Sequence, residues 1–124
     1  MATEVLINDG GAPARILPFI ANETIAAGDA LSIDTGNGQA AFPAASGSNI
    51  VGVALTAATS GNLVNVVTGR GVILKVNTAG TITQGEELNV HTTGKFVGKQ
   101  GSSVIVGIAL EADGADDVCK ILLY

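Results

Sequence analysis

Tryptophan is missing from this chain, Cys, Met, His and Tyr occur once each, and three phenylalanines complete the aromatic set. With Cys119 as the only cysteine, no intrachain disulfide can form and a zinc site of clustered Cys and His ligands has no material. The shortage of aromatics removes the stacking platforms on which single-strand nucleic-acid binding depends. Six basic residues stand against eleven acidic ones for a net charge of -5, and Arg15, Arg70, Lys75, Lys95, Lys99 and Lys120 are scattered along the chain. A nucleic-acid partner is therefore not expected, because phosphate binding needs a concentrated basic face. Long hydrophobic runs are absent too: no segment approaches the roughly 20 apolar residues of a membrane helix, so no membrane partner is expected. The opening MATEVLIND has no basic start and an apolar run of only three residues, unlike a secretory signal.

What the chain does have is small aliphatic bulk, with 47% hydrophobic residues diluted by 17 glycines, and a repeat. IVGVAL at 50–55 returns as IVGIAL at 105–110, and TIAAGDALSI at 24–33 lines up with TITQGEELNV at 81–90. The register holds beyond these strings. Leu63, Val64, Val66 and Val67 fall on Val118, Cys119, Ile121 and Leu122, and Ile16, Leu17 and Phe19 fall on Ile73, Leu74 and Val76. One β domain over 14–124 is expected, built of repeats at about 14–68 and 71–123, with an N-terminal arm over 1–13.

Short β-branched runs bounded by Gly, Asn, Asp, Ser and Thr predict strands over 15–20, 30–34, 50–55, 63–68, 72–76, 87–91, 104–110 and 118–123. Two shorter strands are expected at 39–42 and 95–97, after hairpin signals at Gly36, Asn37 and Gly38 and at Thr92, Thr93 and Gly94. No window carries a helical stripe. The fold class is all-β: a small barrel or β-sandwich, β-tulip-like, made from an internal two-fold repeat, with a flexible N-terminal arm. Gly52 and Gly107 interrupt apolar strands, which points to a bulge or close backbone approach. IVGVAL and VIVGIAL do not alternate polar with apolar, so both faces of these strands should be covered, partly by the other repeat and partly by another subunit, the monomeric alternative being a central strand enclosed in a closed barrel. Gly28 with Asp29, and Gly85 with Glu86, read as turns whose acid stays in solvent. In the arm, Glu4, Val5, Leu6 and Ile7 form a strand-capable segment on a flexible tether, suited to adding to a partner's sheet edge.

Catalytic chemistry finds few candidates. Nucleophilic catalysis needs a base near a Ser, Cys or Thr, and the only histidine, His91, takes the place of Asp34 in the other repeat, as an exposed strand end would. Cys119 occupies the slot of Val64 and reads as a core residue. The acidic stretch 111–117 is too short for an EF-hand loop and reads as a solvated turn. No glycine pattern suits a phosphate. No catalytic, metal or cofactor-binding residue is assigned.

Two segments, VGVALTAATSGNLVNVV and VGIALEADGADDVCKIL, each preceded by I-x-x-G-[DE]-x-L, resemble the capsid cement or head decoration proteins of tailed bacteriophages. That resemblance implies a non-enzymatic virion protein without cofactor that binds the outer surface of an expanded head, commonly as a homotrimer. It would clamp neighbouring subunits of the major capsid protein, often through an N-terminal arm, here Glu4 to Ile7. A phage fibre or tail component and a small β-barrel carrier module, with Lys95 nearest a hairpin tip, are the alternative readings.

Overall fold

Runs of Val, Ile, Leu and Thr between glycine turns form ten strands in the computed structural model, which describes residues 14–44, 49–99, 101, 104–113 and 117–124. The strands are β1 (Arg15–Ile20), β2 (Ala30–Ile33), β3 (Ala40–Ala41), β4 (Gly52–Ala54), β5 (Leu63–Thr68), β6 (Ile73–Asn77), β7 (Glu87–Val90), β8 (Phe96–Gly98), β9 (Gly107–Ala109) and β10 (Val118–Leu123). The described residues contain no helix. β1, β5 and β10 have the bounds expected from sequence. β4 and β9 are shorter than expected. Beyond them the chain leaves the ladder but stays tied, by Val51 N to Leu31 O (2.7 Å) and Leu55 N to Asn65 O (2.7 Å), and likewise by Val106 N to Leu88 O and Leu110 N to Lys120 O.

The ten strands form two five-stranded antiparallel sheets of one design, ordered β1-β5-β4-β2-β3 and β6-β10-β9-β7-β8. The correspondence extends to register. Ala30 faces Val53 and Leu31 faces Gly52 in the first sheet; their sequence equivalents Glu87 and Ile108, and Leu88 and Gly107, face each other in the second. Each sheet curls until its edge strands touch at one parallel bridge, Ala21 with Ala40 and Thr78 with Phe96. The repeat seen in the sequence is thus a repeat of topology, register and closure.

Gly52 and Gly107 show why the two-faced strands need glycine. A Cβ at Gly52 would run into the Val67 carbonyl and the Val66 side chain, and one at Gly107 would lie 3.0 Å from the Leu122 carbonyl. The same neighbour is met at both places, so the close approach belongs to the fold.

The halves do not share one symmetrical core. The inner face of the first sheet, Leu31, Ala54, Val64 and Val66, forms a buried cluster of its own with Ala21, Ile25 and Ala40. The inner face of the second sheet, including Leu74, Val76, Leu88, Val90, Phe96, Cys119 and Ile121, packs with Ala30, Val53 and Val67 from the outer face of the first. One half covers the other in a single direction. That is why β4 is buried at all three positions while Ile108, in the middle of β9, is half-buried.

Candidate interaction surface

Side chains able to do chemistry are mostly committed to holding turns. Gly28 and Gly85 have φ of 92° and 86°, as a tight turn before each strand requires. The acid after each glycine reaches back to a backbone N–H three residues earlier: Ala26 N donates to Asp29 Oδ2 (3.0 Å), and Thr83 N donates to Glu86 Oε1 (3.0 Å). The expectation that both acids stay in solvent fails at Asp29, which is 3% exposed. Its other oxygen accepts from Asn77 Nδ2 (2.9 Å) and lies 3.6 Å from Lys95 Nζ. Both partners come from the second half, so Asp29 is buried by the junction it helps to hold. Asn77 Nδ2 also donates to Ala27 O (2.8 Å), and the backbone joins in through Asn77 N to Gly28 O (3.0 Å) and Ala30 N to Gly94 O (2.8 Å).

His91 is exposed, as expected of a strand end, with Nδ1 3.3 Å from Thr93 Oγ1; its counterpart Asp34 accepts from Gly36 N at 2.7 Å. Both side chains cap the turn that follows them. Cys119 is fully buried and donates to Glu111 O at 3.1 Å, and burial pushes its thiol from 9.0 up to about 11. In the acidic stretch, Glu111 Oε1 accepts from Lys120 N (3.1 Å) and Asp113 Oδ1 accepts from Ile82 N (2.9 Å). Among the described residues no group of three or more His, Cys, Asp or Glu is placed to hold a metal. Lys95, nearest a hairpin tip, is held towards Asp29 rather than displayed.

Glu4, Val5, Leu6 and Ile7 lie outside the described residues. The surface that sequence reading missed belongs to β1 and its surroundings. Ile16, Leu17, Ile20, Ile33 and Leu63 are all exposed, Leu63 by 64%. A non-alternating strand, RILPFI, was the available signal, since a sheet with one wet face alternates. On the second half, Lys75 and Lys120 sit directly opposite one another across β6 and β10, a like-charge pair that destabilises a sheet.

Two curled sheets of one design, acids held in turns and apolar side chains facing outward define a class of duplicated β scaffold with a partly aliphatic outer surface. Comparison with known proteins gives the class a name. A family model described as phage cement protein matches residues 11–123, and the chain belongs to that family. It is accordingly a phage structural protein associated with the capsid. No curated protein sequence matches the chain. Among solved structures, the head fiber gp8.5 N base of bacteriophage phi29 is similar in fold, with a TM-score of 0.73, 18% identity and coverage of 90% of this chain and 95% of that one.

Proposed function

We propose that this protein binds the outer surface of an expanded phage head as a homotrimer and clamps neighbouring subunits of the major capsid protein, stabilising the shell. The observation that carries this reading is the exposed aliphatic surface of Ile16, Ile20 and Leu63, on the face of β1 and β5 opposite Leu17, on a scaffold whose acids are held in turns, in a chain of the phage cement family. Burial of apolar area stabilises a contact by about 25 cal/mol per Å², and only the surplus over the cost of association appears as affinity. Contacts of modest strength suffice where several engage a repeating lattice at once. Binding then depends on the arrangement of capsid subunits, and so follows expansion. The segment Glu4 to Ile7 is the arm assigned to extend a capsid sheet.

Purified protein mixed with expanded and unexpanded heads should sediment with the expanded heads only, and should raise their resistance to heat. Binding to neither would contradict the proposal. The likeness to a head fiber base favours a second reading, a fibre component. Binding confined to a few sites per head, rather than spread over its facets, would select it.

A further inference from the structure

The junction between the halves is directional, and that leaves two surfaces without their counterparts. In the second half, Leu74, Val76 and Val90 are sealed by the outer face of the first half; of their equivalents, Leu17 and Ile33 are open, by 40% and 37%, and Phe19 is half-buried against the first sheet's own cluster. Conversely, the row Ala30, Val53 and Val67, fully buried by the second half, becomes Glu87, Ile108 and Leu122 on the outer face of the second sheet. There Ile108 and Leu122 are half-buried and Glu87 is exposed. A groove lined by Gly80, Glu86, Gly98 and Lys99 lies beside this row. At the corresponding place on the first half, Phe42 meets the turn at Gly94, where a Cβ would be 2.7 Å from the ring. Gly38, the counterpart of Gly94, has open space around it.

We propose that the inner-face surface of Leu17, Phe19 and Ile33 in one molecule seats on the outer-face surface of Ile108 and Leu122 in a second copy of this chain, repeating between molecules the junction made within each. The turn at 36–38 then meets the Glu86 carboxylate, which lies over Gly98. This deepens the proposed function, resting on its reading of an oligomeric cement, by naming the surfaces that join the copies. The internal junction identifies the occupant, because it shows an inner face of this fold covered by an outer face of the same fold. The contact is head to tail, so it closes a ring or continues as a filament. It lacks the Asp29 clasp: the equivalents of Asp29, Asn77 and Lys95 are Glu86, Ile20 and Gln39, of which Ile20 has no side-chain donor. The intermolecular joint is accordingly the weaker one.

Light scattering after size exclusion tests it. Wild-type protein should exceed the 12.3 kDa monomer, and Leu17→Asp and Ile108→Asp should each run as monomers with wild-type circular dichroism. An equimolar mixture of the two variants retains one intact head and one intact tail, and should give a dimer that grows no further. Should either variant misfold, Ile33→Asp and Leu122→Asp test the same two faces. A monomeric wild type, single variants that keep the wild-type mass, or a mixture that stays monomeric would overturn the proposal. Monomeric wild type whose binding to heads is abolished by Leu17→Asp would assign this face to the capsid instead. Self-association through these faces with no binding to heads would overturn the proposed function and leave the interface standing.

Discussion

Replacing Asp29 by alanine should cost far more than the same change at Glu86, although both acids follow a glycine and bond the third backbone N–H before them. Asp29→Ala removes the acceptor for Ala26 N and for one hydrogen of Asn77 Nδ2, and removes the partner of Lys95. Hydrogen bonds to charged groups contribute about 1.5–3 kcal/mol each, and two of them at the lower end give about 3 kcal/mol. The ion pair adds under about 1 kcal/mol, because Lys95 is partly exposed. Glu86→Ala removes the acceptor for Thr83 N at the surface, a loss of about 0.5–1 kcal/mol. Against a total stability of about 5–15 kcal/mol, the first loss is large, worth roughly 12 °C in Tm for a chain of this size. Urea titrations of the wild type and both variants at neutral pH, monitored by circular dichroism, measure the difference. Losses equal within about 1 kcal/mol would refute the assignment of Asp29 to the junction.

Gly52→Ala should destabilise by about 3 kcal/mol, because the added methyl meets the Val67 carbonyl; Gly107→Ala should cost about 1 kcal/mol, since its nearest neighbours lie at 3.0 and 3.1 Å and one is the mobile end of Ile121. Equal thermal shifts would contradict that ranking. Cys119 has a folded-state value raised by burial from 9.0 to about 11, so its contribution to stability is fully present below pH 9 and is lost as pH rises towards 11. Iodoacetamide labelling of native protein at pH 8 should therefore run at least about 100-fold slower than in denaturant, and comparable rates would contradict the burial. Calcium and EDTA should both leave the melting temperature unchanged, since Glu111 and Asp113 already bond backbone N–H groups. A rise of several degrees with calcium would overturn that assignment.

Much of the fold was legible because its strands are short β-branched runs between glycines, and because the two repeats align residue by residue. The alignment fixed which strands correspond, and Gly52 and Gly107 announced the close approach that both sheets contain. Burial was not legible from the same signal. RILPFI and ILKVN are the equivalent strands β1 and β6, yet one is largely exposed and the other largely buried. The difference lies in which inner face another sheet covers, a tertiary choice that local pattern does not encode. Asp29 illustrates the point at one residue. Its turn was readable from Gly28, whereas its partners Asn77 and Lys95 arrive from the other half of the chain. The short ladders of β4 and β9 have a similar cause, because their flanking residues keep single hydrogen bonds while curling away.

A cryo-electron reconstruction of expanded heads incubated with the protein tests the cement assignment most directly. Density of this duplicated fold, on the exterior and spanning the boundaries between neighbouring capsid subunits, is the predicted result. Bare facets, or density restricted to one vertex or to the shell interior, would contradict it.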